Sequence, residues 1–142
     1  MKKNNIDTEY IIADTSGIVS LVNDYDSNHN LSIIAAKSIY NKGFIIVSCE
    51  VFSEIINIVG KKIDKESAVQ TGKMLLNSTT FVIKESNQKI RNNALLKFQK
   101  LSNSVSFTDC IVMSFSDYYQ LENKYIFGFD KIFKKEGYNI IE

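Results

Sequence analysis

Four acidic residues carry the chemistry that this chain can offer. Asp14 directly follows an apolar run, Tyr10 to Ala13, and Asp130 directly follows a run that begins at Tyr125. Asp109 stands three residues after Ser106, the spacing of a helix-capping box. Glu54 lies two turns into the helical pattern after the apolar run Phe44–Val47, off the apolar stripe of Val51, Phe52, Ile55, Ile56 and Val59. Carboxylates brought close together repel, and unpaired burial costs each of them several kcal/mol or a raised pKa. A cluster drawn from four separate elements therefore calls for a cation. Mg²⁺ or Mn²⁺ suits it, taking one or two carboxylates together with water and substrate phosphate. Metals held in this way activate a water and stabilise charge on a phosphodiester in transit.

Each acid also has a plainer reading. Asp109 can be a capping carboxylate, Asp14 a helix starter, Asp130 a cap before Lys131, and Glu54 a solvated helix residue. Asp117, eight residues after Asp109, reads as a surface acid, with a lesser case as a fifth ligand. The constellation, not any single residue, carries the metal reading.

Few other chemistries are open. His29 is the only histidine, so zinc sites built on several imidazoles are excluded. Cys49 and Cys110 are the only cysteines and lack CxxC spacing; they read as small buried hydrophobes in a reducing compartment. The chain holds no Gly-rich phosphate loop, no GxSxG elbow and no aromatic RNA-recognition motif.

The elements that must position the acids alternate along the chain. Apolar runs at Tyr10–Ala13, Phe44–Val47, Phe81–Ile83, Tyr125–Phe127 and Tyr138–Ile141 read as buried strands. Between them lie helical patterns. One starts at Thr15 and Ser16. A polar loop spans Asn23 to Asn30. A second helix buries Leu31, Ile34, Ala35 and Ile39 and stops at Gly43. Ser48 caps the helix of Glu54, which Gly60-Lys61-Lys62 ends, and Asp64 caps a helix through Leu76. Ser86 caps one whose face is Ile90, Ala94, Leu95, Phe98 and Leu101, and Ser106 caps the helix of Asp109. Unbroken apolar runs between helices predict a parallel sheet covered on both faces, with ligands at the carboxyl ends of its strands.

The chain has 142 residues, 44% hydrophobic and 23% charged, which fits one domain over residues 1–142. Its net charge of +1 announces neither nucleic acid nor an acidic tail. Setting the four acids aside leaves 12 acidic against 17 basic residues, a mildly basic balance of +5 around an acidic pocket. Lys61, Lys62, Lys65, Lys89, Arg91, Lys97, Lys100, Lys131, Lys134 and Lys135 are candidates for phosphate contacts, though an ordinary lysine surface explains any one of them. No run approaches the roughly 18–20 apolar residues of a membrane span. The start, Met1-Lys2-Lys3-Asn4-Asn5, leads into no signal-peptide core, so a cytoplasmic protein is expected.

The ordered motifs resemble those of PIN-domain ribonucleases, most closely the small VapC-type toxins of type II toxin–antitoxin systems. Ile11-Ile12-Ala13-Asp14-Thr15-Ser16 resembles the first family motif, and Val51-Phe52-Ser53-Glu54-Ile55-Ile56-Asn57 the second. Ser106-Phe107-Thr108-Asp109-Cys110-Ile111 resembles the third, and Phe127-Gly128-Phe129-Asp130-Lys131-Ile132-Phe133 the fourth. The loop Asp24–His29 with Ala36 resembles a variable loop of the family, in which His29 is not required. The resemblance implies a three-layer α/β/α sandwich with a central, mostly parallel sheet of four to five strands. It implies that Asp14, Glu54, Asp109 and Asp130 ligate Mg²⁺ or Mn²⁺, and that the hydroxyls of Thr15, Ser16 and Thr108 orient them. It implies cleavage of RNA to a 3′-hydroxyl and a 5′-phosphate, a homodimer and a cognate antitoxin. One departure is Gly128, where family members often carry Thr or Ser; it predicts a looser hold on Asp130. Two other readings stay open: an RNA-processing nuclease without an antitoxin, and a PIN-like binding module whose acids are caps and surface groups.

Overall fold

Alternating strand runs and helical periods dictate the architecture. The computed structural model describes residues 9–119 and 122–142, so the charged start at Met1 to Asn5 lies outside the described residues. The elements follow in the order β1 (Glu9–Ala13), α1 (Thr15–Val22), α2 (His29–Ile39), β2 (Gly43–Ser48), α3 (Cys49–Lys62) and α4 (Lys65–Asn77). They continue with β3 (Phe81–Lys84), α5 (Gln88–Lys100), α6 (Phe107–Tyr119), β4 (Ile126–Phe127) and α7 (Lys131–Lys135). The strands pair in the order β3-β2-β1-β4, all parallel. Successive residues of a strand point to opposite faces. Ile11 and Ile12 are both buried, as are Ile45, Ile46 and Val47, so both faces of the sheet are covered by helices. The fold is an α/β/α sandwich.

The strand order places the site. The chain moves from β1 outward through β2 to β3, then returns to the other side of β1 as β4. Between β1 and β4 the connections leave in opposite directions, and a crevice opens beyond the carboxyl ends of these two strands. Ile12 and Ala13 pair with Ile126 and Phe127, and the Asp14 N–H donates to Phe127 O at 3.0 Å. Asp14 and the segment from Gly128 to Asp130 thus leave the sheet side by side. Gly17 lets α1 lie against this edge: a Cβ there would stand 2.1 Å from the Phe127 carbonyl oxygen.

The structure revises several local expectations. Tyr138–Ile141 forms no strand; Asn139 makes a single parallel bridge to Tyr125, and the sheet has four strands. Helix α2 ends at Ile39, the chain turns through Asn41 at φ 70°, and Gly43 is the first residue of β2, paired with Glu9. Ala35 and Ile39 are buried on α2, but Leu31 and Ile34 face outward. Gly60 lies inside α3, which runs on to Lys62. Asn87, not Ser86, caps α5, accepting from Ile90 N at 2.8 Å. Ser86 is held elsewhere, donating to Glu50 Oε2 at 2.7 Å and accepting from Arg91. On α5, Ile90 and Ala94 are buried, whereas Leu95 and Phe98 are exposed.

Candidate functional site

A cavity of about 340 Å³ opens at the carboxyl edge of the sheet, and Asp14, Glu54, Asp109 and Asp130 all line it. Each arrives by a local rule. Asp14 caps α1, its Oδ2 accepting from Ser16 N at 3.3 Å and from Ser16 Oγ at 2.8 Å. Glu54 projects from the second turn of α3, which Ser48 starts by accepting from Val51 N at 3.0 Å. Asp109 completes a reciprocal capping box: Ser106 N donates to Asp109 Oδ2, and Asp109 N donates to Ser106 Oγ, both at 3.0 Å. Asp130 caps α7 through Ile132 N at 3.0 Å. Asp14 and Asp130 thus cap helices, and Asp109 completes a capping box, while all three line the cavity.

Hydroxyls join the acids to one another's elements. Thr15 Oγ1 donates to Glu54 Oε1, tying α1 to α3. Ser16 Oγ donates to Asp14 and accepts from Phe129 N at 3.0 Å, tying α1 to the chain after β4. The segment that carries Asp130 is therefore anchored by Ser16, and a hydroxyl at position 128 is not what holds it. Thr108 is half-buried and does not line the cavity.

Burial of the acids is visible in their ionisation. Burial pushes the Asp14 carboxyl up to about 6; the Asp109 charge adds to the rise, and the bonds from Ser16 oppose it. Burial also raises Asp109, helped by the charges of Asp130 and Glu54 and opposed by the bonds from Ser106. Among the described residues, no three His, Cys, Asp or Glu side chains converge on one ion as they stand. Each carboxylate is instead turned to its own N–H or hydroxyl donors across an open cavity.

The remaining sequence candidates lie elsewhere. His29 Nδ1 stands 2.9 Å from Ser20 O, and its Nε2 lies 3.6 Å from Asp24, so it fastens α2 to α1 outside the cavity. Asp117 pairs with Lys97 at 2.8 Å and accepts from Tyr138 Oη at 2.7 Å, lining a separate cavity of about 390 Å³. It is no fifth ligand. Cys110 is buried, Cys49 half-buried, and both are free. The structure adds Asp26, Asn28, Ile58 and Lys62 to the lining of the acidic cavity. Sequence reading ends α3 with Gly60-Lys61-Lys62; the helix runs through Lys62, which lines the cavity.

A parallel sheet that presents four carboxylates at its switch point defines an α/β protein built around an acidic pocket. The chain belongs to the PIN domain family: a PIN domain model matches residues 11–136. No curated protein sequence matches it. Among solved structures, it is similar to VapC20 of Mycobacterium tuberculosis, a sarcin-ricin loop cleaving toxin. The TM-score is 0.81 at 19% identity, covering 90% of this chain and 95% of that one. It is also similar to VapBC2 of Rickettsia felis bound to a DNA fragment from their promoter, with a TM-score of 0.67 at 16% identity, covering 94% and 97%.

Proposed function

We propose that the chain is a divalent-metal-dependent endoribonuclease and the toxin of a type II toxin–antitoxin pair. The observation that carries this reading is the meeting of Asp14, Glu54, Asp109 and Asp130, from four separate elements, at one cavity. Carboxylate oxygens are the donors that Mg²⁺ and Mn²⁺ take, and both ions keep several waters. Burial, with a lesser push from neighbouring acids, raises the carboxyls of Asp14 and Asp109, and a cation would offset both. When bound, the ion would supply the Lewis acidity that makes water nucleophilic near neutral pH and offsets phosphoryl charge. Thr15 and Ser16 would fix the acids: Thr15 holds Glu54 with one oxygen committed, and Ser16 leaves one Asp14 oxygen for the ion.

The substrate and partner follow from the likeness to VapC20 and VapBC2. RNA is the proposed substrate, a cognate antitoxin the proposed partner, and residues 1–142 the proposed single domain. A homodimer is supported by apolar side chains left outside on α2 and α5, among them Ile34, Leu95 and Leu96. The proposed setting is the cytoplasm; no described helix is long and apolar enough to cross a membrane.

The test is cleavage of single-stranded RNA and a sarcin-ricin loop hairpin by purified protein with Mg²⁺, Mn²⁺ or EDTA, beside Asp14→Ala and Asp109→Asn. Cleavage that needs metal and is lost in both variants is expected. Cleavage that persists in a folded Asp14→Ala protein would overturn the assignment. Expression without growth arrest would remove the toxin role and leave a nuclease.

A further inference from the structure

The acidic cavity does not end at its carboxylates. On α3, Glu54, Ile58 and Lys62 succeed one another at four-residue steps and all line it. Eight residues of helix place Lys62 about 12 Å along the axis from Glu54. Facing this stripe are Val19 and Ser20 of α1 and, in the loop that follows, Asp26 and Asn28. The cavity is thus a groove between α1 and α3, acidic at one end, apolar in the middle at Val19 and Ile58, and cationic at the other end.

Its charge is lopsided. Asp14, Asp26, Glu54, Asp109 and Asp130 line it, and Lys62 is the one cation among the described lining residues. Lys62 is exposed, and among the described residues no carboxylate lies within ion-pair distance of its ammonium. Its neighbour Lys61 is equally exposed but lines no part of the groove. A polyanion entering here meets repulsion from these carboxylates, and Lys62 is the one described lining residue whose charge attracts it.

We propose that Lys62 seats a backbone phosphate of the bound RNA strand, away from the phosphodiester at the carboxylates, so that the strand lies along the α1–α3 groove. The inference rests on the nuclease reading for the strand's chemistry and deepens it by assigning a binding residue outside the acid cluster. A lysine that contacts phosphate acts through charge, without base discrimination, and adds to the salt dependence of binding.

The experiment measures fluorescence anisotropy of a labelled single-stranded RNA across a salt series, in the Asp14→Asn background so that no cleavage intrudes. Lys62→Gln, Lys62→Arg and Lys61→Gln are compared with the parent, and kcat and KM are measured for the same three changes in the unmodified chain. Lys62→Gln is expected to weaken binding roughly three- to fivefold, the scale of one exposed charge contact. The slope of log Kd against log salt should fall by about 0.7, the loss of one single-strand phosphate contact. KM should rise while kcat holds, Lys62→Arg should recover most of the binding, and Lys61→Gln should match the parent. Parental affinity and slope in Lys62→Gln would overturn the proposal, as would an equal loss in Lys61→Gln. If the unmodified chain cleaves nothing with metal, the nuclease reading fails, while the anisotropy result still decides the role of Lys62. If the parent binds no RNA, both fall.

Discussion

Gly128 lies directly against Asp14: a Cβ at position 128 would stand 2.7 Å from Asp14 Cβ, 3.1 Å from Ser16 Oγ and 3.2 Å from Asp14 Oδ2. The backbone leaving β4 passes so close to the acid leaving β1 that only hydrogen fits between them. Asp14 is only 6% exposed, and the carbon met first belongs to the stub of its side chain, which cannot swing away. Gly128→Ala should therefore displace either Asp14 or the strand end, at a cost of about 1–3 kcal/mol typical of overpacking. The melting temperature should fall by several degrees, and RNA cleavage should fall further than stability alone explains. An alanine variant with parental melting temperature and activity would show that the two strand ends are free to part.

Asp14 links stability to pH. Its carboxyl titrates near 3.8 when unfolded and is pushed up to about 6 in the fold. The folded state thus favours the neutral acid. The contribution is fully present below the unfolded value and is lost as pH rises through about 6. The cost near pH 7 is on the order of 2–3 kcal/mol at 1.36 kcal/mol per unit. Asp14→Asn keeps the cap, because Asn caps helices as well as Asp, and removes the charge. Without added metal, the variant should melt higher than the parent at pH 7, and the gap should close towards pH 4. Chemical denaturation at both pH values would check it; an equal gap at both would show that Asp14 is not the group responsible.

Much of this candidate site is legible from sequence because the acids that line the cavity also do local structural work. An acid after an apolar run caps the next helix, and in a parallel sheet every such cap lies at the same edge. Asp14 and Asp130 are found by that rule, and Asp109 by its capping-box spacing from Ser106. What stays hidden depends on tertiary packing. Leu31 and Leu95 repeat at helical spacing as well as their buried neighbours do, and periodicity alone does not say which stripe meets the sheet. Ser86 and Asn87 both suit a cap; Glu50 and Arg91, far apart in sequence, take the serine and leave Asn87 to start α5. Gly60 reads as a helix stop, yet Ala68 of α4 packs 3.7 Å from where its Cβ would lie and the helix continues. Lys62 is readable as a phosphate candidate, but that it lines the groove and Lys61 does not depends on how α3 packs. Tyr138–Ile141 has strand composition, but Tyr138 turns to Asp117 and the run makes one bridge.

The capping box on α6 tests whether Asp109's place depends on its helix start. Ser106 supplies both an N–H to Asp109 Oδ2 and an oxygen to Asp109 N. Ser106→Ala keeps the first and loses the second, so it should cost about 1 kcal/mol of stability. Asp109 would remain bonded to the backbone but less tightly fixed. Cleavage should fall by less than it does in Asp109→Asn, and Ser106→Thr should restore both properties. If Ser106→Ala is as inactive as Asp109→Asn while fully folded, Ser106 itself touches the reacting groups, and the box is not its main role.

Metal binding should stabilise the fold through the acids that repel one another without it. A ligand that binds only the native state adds RT ln(1 + [L]/Kd), about 2.7 kcal/mol at a hundredfold excess over Kd. For a chain of this size that is a rise in melting temperature of roughly 5–10 °C. The gain should be smaller at pH 5 than at pH 7, because the raised carboxyls of Asp14 and Asp109 take up protons in competition with the ion. Asp109→Asn should itself melt higher than the parent in EDTA, since it removes a charge that burial and Asp130 disfavour, and should respond little to Mn²⁺. Thermal melts in EDTA and in Mn²⁺ at the two pH values separate the possibilities. A parent that gains nothing from Mn²⁺ or Mg²⁺ at pH 7 would leave the four acids as helix caps and surface groups, and would support a binding module over a nuclease.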